Sequence, residues 1–552
     1  MPATPLDRLD HWAATQPDRV FLRQPEGGRY RDLTFGEVRR QARCIAGALR
    51  HLGIEPGDTV ALFSKNCAEW FVADLAIMLG GYVSVPVYPT ANGKTVRYIL
   101  EHSDSQAVFV GKLDRPKRQE TALGSEILRL GLPNATPPVD YSWQSLLEMA
   151  APLKEVSATP AGQTMSIVYT SGSTGPPKGV VHTVASLSWA GETVARDLQA
   201  TPEDRTVSYL PLAHITEREY IEMGSLYAGN PVAFVESLDT FLEDLMRARP
   251  TMFISVPRLW TLFRERVLAT LGPRKLDVLL AVPRLNDFIR RRVRRSLGLE
   301  HARLLGCGSA PVDPELLRWY ERLGLDITEG WGMTENAAYG TIQHPFRPDK
   351  IGSAGRAALG AEFRVAESGE LLFRSPGLMS GYHKQPEETA EVMTEDGFLR
   401  TGDLGYLDTD GYVFVTGRVK DIFKTAKGLY VSPVPIEQEL VRDEAVGMAC
   451  VIGSGRPQPI AVVQLAEGVR DNDRETLRLR LGATLERLNG ELAHHEQLDA
   501  IVVTDKPWSV ENDLLTPTLK VKRHVLERRF AALAVLPRGG VVAWLDEMSP
   551  RR

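Results

Sequence analysis

The stretch TVALFSKNCAEWFVADLAIMLGGYVSVPVYP, Thr59–Pro89, sets the fold class. TVALFS reads as a short buried strand, AEWFVADLAIMLGG as a helix and YVSVPVYP as a second strand. Trp70–Pro89 is the most apolar run of the chain. It carries Asp74, Gly80, Gly81 and Pro86, which suits a buried helix leading into a strand rather than a membrane span. Upstream, LTFGEVRRQARCIAGALRHLG (Leu33–Gly53) is amphipathic at helical spacing, and Gly53 is placed to end it. Downstream, QAVFV (Gln106–Val110) continues the alternation. The pattern predicts an α/β fold, with mostly parallel sheets covered by helices.

The chain has 552 residues, too many for one ordinary core, so at least two domains are expected. Beyond Leu371 the pattern changes to short strands and turns, as in GELLFRS and GYVFVTGR. After Arg418 come further strands in MACVIG and IAVVQLA and a helix near TLRLRLGATLERLNGEL. The expected division is a large N-terminal domain of several subdomains, 1–417, and a small α+β C-terminal domain, 418–552. The proline-rich LPNATPPVDYSW (Leu132–Trp143) is expected to be a surface loop.

The net charge of −5 gives no sign of a basic nucleic-acid surface. Cys44, Cys67, Cys307 and Cys450 form no C-x-x-C pair or zinc spacing, and so few scattered thiols suggest a reducing, cytoplasmic setting. MPATPLDRLD lacks a basic region followed by an apolar run, so no secretion signal is expected. One charge run stands out: IRRRVRRSLG, with Arg290, Arg291, Arg292, Arg294 and Arg295. A peripheral membrane contact or an acidic partner would use it, but a solvated helix face is the simpler reading.

The strongest chemical signal is SIVYTSGSTGPPKGVVHT, Ser166–Thr183. A strand-like run enters a loop in which Gly172 and Gly175 let backbone N–H groups approach phosphate oxygens. Ser171, Ser173 and Thr174 add hydroxyls and Lys178 adds charge. The pattern is not G-x-x-x-x-G-K-[ST], so a Walker A loop is not indicated.

From Tyr169 onward, YTSGSTGPPKGV resembles the phosphate loop of the adenylate-forming superfamily, which holds acyl-CoA synthetases, peptide-synthetase adenylation domains and luciferases. The resemblance extends along nearly the whole chain, through seven motifs in order. It implies that Thr170 to Gly175 and Lys178 hold ATP phosphates. YLPLAHITERE is similar to the second family segment in its long-chain form, and His214 would line the acyl pocket. LLGCGSAP resembles the adenine turn, with Gly308, Ser309, Ala310 and Pro311 along the base. Cys307 stands there in place of the usual small polar residue and reads as a buried thiol. ITEGWGMTEN supplies Glu329, Gly330, Trp331, Gly332, Met333 and Thr334. Trp331 would face adenine where many members have Tyr, Thr334 would donate to the α-phosphate, and Glu335 would bind Mg²⁺ together with Thr174. LRTGDLGYLD resembles the ribose motif, with Asp403 accepting from both hydroxyls. GRVKDIFKTAKGLYVSP resembles the interdomain hinge. There Arg418 would contact ribose or phosphate, and Lys420 stands at the hinge position where many relatives carry Asp. TPTLKVKR puts Lys520 at the catalytic lysine, preceded by Leu519 instead of the frequent Gly.

The implied reaction has two halves. A carboxylate attacks the α-phosphorus of MgATP and pyrophosphate leaves; a thiol then takes the acyl group and AMP leaves. The carboxylate is already ionised at pH 7, so positive potential and positioning are needed rather than a base. The resemblance implies a medium- to long-chain fatty acid, ATP and coenzyme A as substrates, and a C-terminal domain that rotates between the two steps. Rival readings are an acyl-AMP ligase loading a carrier protein, a β-lactone synthetase, a luciferase-like oxygenase and a non-catalytic nucleotide-binding or scaffold protein.

Overall fold

The computed structural model describes residues 3–548 apart from 115, 125, 155–159, 171–175, 238, 470–472, 505, 511, 517–519 and 532–538. The opening stretch folds as read. Thr59–Phe63 and Val83–Val87 are parallel neighbours, joined by the helix Ala68–Leu79, every residue of which is buried. Phe35–His51 is the preceding helix. Thr34 and Glu37 close its start as a capping box, and Gly53 follows its end at φ 84°.

These strands sit in a seven-stranded sheet. Ala107–Val110 and Leu128–Gly131 extend it in parallel on one side. On the other side come Thr164–Thr170, parallel to Val83–Val87, then Lys178–Thr183 and Gly381–Tyr382, both antiparallel. A five-stranded sheet begins with the parallel strands Met252–Ser255, Leu304–Cys307 and Ile327–Trp331. A four-stranded sheet joins Val20–Glu26 and its hairpin partner Arg29–Thr34 to Val232–Phe234 and Thr206–Ser208. An antiparallel sheet runs through Glu362–Val365, Glu370–Arg374, Leu399–Leu407 and Val413–Arg418.

Two further apolar clusters are drawn wholly from residues 423–548. They pack the helices Pro433–Val441, Arg474–Glu491 and Arg523–Ala531 against a sheet of Val446–Ile452, Ile460–Leu465, Ala500–Val503 and Val541–Trp544. Among the described residues no helix is long and apolar enough to cross a membrane.

Candidate functional site

The strand Thr164–Thr170 returns as Lys178–Thr183, with Thr170 opposite Lys178. The loop they carry includes Ser171, Gly172, Ser173, Thr174 and Gly175, which lie outside the described residues. Its anchors are firm. Lys178 Nζ stands 4.7 Å from the ring centre of Tyr382, and the Tyr382 hydroxyl donates to Glu335 Oε1 at 2.8 Å. Tyr382 arrives there because Gly381–Tyr382 pairs with Val180 and Val181. Beside it, His182 is fully buried and its Nε2 is 2.7 Å from the Thr334 carbonyl. Burial pulls that imidazole down to about 4, so it is neutral at pH 7 and its Nε2–H is the donor. Lys178, Tyr382, Glu335 and Thr334 are thus held as one unit around the start of the strand Lys178–Thr183.

Under this unit lies a buried ion pair. Arg218 reaches Asp74 Oδ2 at 2.6 Å and Ser166 Oγ at 2.5 Å, tying the π-helical turn Arg218–Met223 to the strand that enters the loop. Glu222 Oε2 lies 3.7 Å from Arg218 Nε; burial pushes Glu219 and Glu222 well above the carboxylate range, while Asp74 and then Glu222 raise Arg218 against its own burial.

The turn after Leu304–Cys307 contains Gly308, Ser309, Ala310 and Pro311. A Cβ on Gly308 would lie 2.9 Å from the Gly330 carbonyl, so only glycine lets the two strands close there. Ser309 takes φ 66°, and Ala337 and Ala338 take 55° and 57° across the same cleft. Three non-glycine residues in the left-handed region around one cleft is strain concentrated at a site. The cleft narrows to a cavity of about 30 Å³ lined by Tyr220, Ile254, Leu304, Cys307, Trp331 and Ala338 among others. Burial raises the Cys307 thiol far above its ordinary value, so it is an inert neutral group.

The strand Ile327–Trp331 brings Glu329, Gly330 and Trp331 to the cleft, and Gly332, Met333 and Thr334 follow. A Cβ on Gly332 would collide with the Ala338 carbonyl. Glu329 Oε2 accepts from the Gly352 N–H at 2.9 Å, and surrounding protein raises its carboxyl above the usual range. Glu329 is therefore engaged in holding the loop at Gly352. Trp331 packs edge-on against Phe363 and Phe373 and donates its Nε1–H to Asp403 Oδ2 at 2.7 Å. Asp403 is 2% exposed, and its Oδ1 meets Arg418 Nε at 2.8 Å across the register pair Asp403↔Arg418. The two residues read as adenine and ribose contacts are thus joined by a hydrogen bond.

Lys520 completes the group. Its neighbours Lys522 and Arg523 are engaged locally, with Asp513 at 2.5 Å and with Glu437 at 2.5 and 3.0 Å. Lys520 instead feels Arg418, Asp403 and Glu335, and its charge is felt by His214. The cleft is crowded with protein yet open to water at this side chain, and the lysine is lowered to about 8, first by burial and then by Arg418. His214 caps the short helix Ile215–Glu217; its Nδ1 accepts from the Thr216 N–H at 3.2 Å. Burial first and Lys520 second lower its pKa to about 3, so it is a neutral imidazole with its proton on Nε2. Lys420 lies apart from all of these, exposed in the short turn Val419–Asp421 that leaves Arg418.

Residues 9–383 match the family described as AMP-binding enzyme, and residues 420–533 match the AMP-binding enzyme C-terminal domain. The chain is an AMP-binding enzyme. It is 29% identical to the long-chain-fatty-acid–CoA ligase FadD15 of Mycobacterium bovis, over 94% of each chain. It is 30% identical to the peroxisomal long chain acyl-CoA synthetase 6 of Arabidopsis thaliana, over 91% of this chain and 81% of the relative. Among solved structures it shares its fold with the A domain of the carboxylic acid reductase from Segniliparus rugosus, in complex with AMP and a co-purified carboxylic acid. The TM-score is 0.80 at 21% identity, covering 96% and 93% of the two chains.

Three residues that the structure ties to these groups carry no local signal in the sequence. Tyr382 sits in SGYHKQ, where nothing local marks it; its role depends on strand pairing with residues two hundred positions away. His182 was visible only as part of the phosphate-loop run. Arg218 reads on paper as one half of a Glu-Arg pair, whereas its partners include Asp74, Ser166 and, at 3.7 Å, Glu222.

Proposed function

We propose that this enzyme activates a medium- to long-chain fatty acid as its acyl-adenylate, using MgATP, and passes the acyl group to coenzyme A. The observation that carries the reading is the convergence of Lys520, Arg418, Asp403 and Glu335 on one cleft beside Lys178. The names of the relatives supply the acid and the thiol. In the first half-reaction an anion approaches an anion, and Lys178, Lys520 and Arg418 offer the positive potential that this requires. Asp403 has lone pairs left on both oxygens for ribose hydroxyls after accepting from Trp331 and Arg418.

Mg²⁺ fits Glu335. Its carboxylate accepts one hydrogen bond from Tyr382 and has no salt bridge among the described residues, so oxygen lone pairs remain for a hard cation. Mg²⁺ is usually held by one or two carboxylates plus substrate phosphates, and the Thr174 hydroxyl is the second candidate ligand. When bound, the ion would neutralise phosphate charge. Tyr382 orients the carboxylate toward that task, and neutral His182 fixes the Thr334 carbonyl behind it.

The acid is tested with saturated acids from C2 to C18 and aryl acids, with coenzyme A as acceptor and thioester detection. The expected kcat/KM is at least about tenfold higher for acids of eight carbons or more than for acetate, as several buried methylenes warrant. A maximum at acetate or an aryl acid would overturn this reading. Thioester formed only on an added carrier protein would favour the acyl-AMP ligase.

The reading also takes 1–417 and 418–552 as two domains that rotate about Lys420 between half-reactions. Proline fixes φ near about −65° and removes the N–H. Lys420→Pro is expected to slow thioester formation by about tenfold or more while adenylation stays within about twofold. Near-normal rates in both half-reactions on folded protein would eliminate a hinge at this residue.

A further inference from the structure

We propose that the helical corner formed by residues 273–296 docks the enzyme on an anionic lipid bilayer. Two helices, Pro273–Ala281 and Pro283–Ser296, meet at Val282. Their inward side is already satisfied, with Leu276, Ile289 and Val293 buried against Trp260 and Phe263 in the core. Yet Val278, Val282, Leu285 and Phe288 remain 65%, 41%, 42% and 53% exposed. Single exposed apolar side chains are ordinary, but four within eleven residues form a patch that needs a partner.

The charge around the patch names that partner. Residues 273–296 contain eight Lys and Arg against two acids, in a chain whose net charge is −5. Phe288, Arg291, Arg292 and Arg295 stand at i, i+3, i+4 and i+7, so one helical stripe passes from an apolar tip to guanidinium groups. Arg291 and Arg292 are exposed and have no ion pair among the described residues. Arg295 is engaged with Glu300 at 2.7 Å, and Arg290 donates to the Arg322 carbonyl. Of the two acids, Asp277 is paired with Arg322 and Asp287 is exposed on the second helix.

An apolar tip flanked by arginines matches a bilayer interface. Val278, Val282, Leu285 and Phe288 would enter the acyl boundary while the guanidiniums meet headgroup phosphates. An acidic protein would use the arginines but leave the apolar tip uncovered. A second copy of the chain would bring two basic corners together. The two helices, of nine and fourteen residues, would lie on the bilayer surface as a peripheral contact.

The test is co-sedimentation of the full chain with vesicles of phosphatidylcholine alone and with about one third phosphatidylglycerol. Binding to the anionic vesicles is expected to be at least about tenfold tighter and to weaken markedly as salt is raised. Phe288→Asp and the pair Arg291→Glu with Arg292→Glu should each lose about fivefold or more, with the thermal midpoint unchanged. Leu479→Asp, on an exposed site elsewhere, should bind as the parent does. Equal binding to both vesicle types, or corner variants that bind like the parent, would overturn the proposal. So would a corner whose variants change self-association, or capture of an acidic polypeptide, without changing vesicle binding.

Discussion

Lys520→Ala is expected to lower acyl-adenylate formation by about 10²-fold or more and to leave thioester formation from pre-made acyl-adenylate close to normal. The asymmetry follows from placement. Lys520 is set among Arg418, Asp403 and Glu335, the groups read as ribose, phosphate and Mg²⁺ contacts, while Lys522 and Arg523 are engaged with Asp513 and Glu437. Its ammonium has no ion pair among the described residues, so its removal should cost little outside the step in which phosphate charge develops. Rates of the two half-reactions, measured separately on folded protein, decide the point; equal losses in both would remove the assigned role. The pH profile gives a second readout. The lysine is held down to about 8 by burial and by Arg418, and the charged form is the one the step requires. In kcat/KM for ATP, which reports the free enzyme, activity should be present below about 8 and fall as pH rises through that value. A bound triphosphate raises the same group, so the limb in kcat should lie at higher pH. Lys520→Arg should abolish the alkaline limb in both.

The fold was legible wherever a segment is held by its own pattern. Thr59–Pro89 announces strand, helix and strand because all three are buried on every side, and the run of apolar residues has no other use. Helix ends were less legible. Leu33–Gly53 shortens to Phe35–His51 because Thr34 and Glu37 cap each other. The site motifs could be read one by one; Gly332, for example, answers a backbone contact with Ala338 only six positions on. What could not be read is how the motifs meet. Trp331 was expected to serve adenine with its face, and its N–H proves to hold Asp403, seventy-two positions on. Tyr382 and Arg218 act through partners set by sheet register and helix packing, and neither property has a local sequence signature. The exposed apolar tip beside the arginine run was equally invisible, because Ile289 and Val293 look no different in sequence from Leu285 and Phe288.

Glu335→Ala is expected to abolish most pyrophosphate-forming activity, by about 10²-fold or more, with thioester formation from pre-made acyl-adenylate largely spared. The ion it is read to hold matters while pyrophosphate is still attached, and pyrophosphate departs in the first half-reaction. The variant should also raise the Mg²⁺ concentration needed for half-maximal adenylation, a readout that a simple folding defect would not move. Tyr382 supplies a graded control. Its hydroxyl donates to Glu335 Oε1 at 2.8 Å, and its ring lies under Lys178 Nζ. Tyr382→Phe keeps the ring and the cation–π contact but frees the carboxylate, so one charge-assisted hydrogen bond is lost, about 1.5–3 kcal/mol. That corresponds to roughly ten- to a hundred-fold in the first half-reaction if the full bond serves the transition state, and to a smaller Mg²⁺ shift than Glu335→Ala gives. The double variant then separates the possibilities. If Tyr382 acts by orienting Glu335, the losses will not add, and Tyr382→Phe on the Glu335→Ala background will change little. Full additivity would mean that the Tyr382 hydroxyl acts other than through Glu335, and normal pyrophosphate exchange in Glu335→Ala would place the carboxylate outside the reaction.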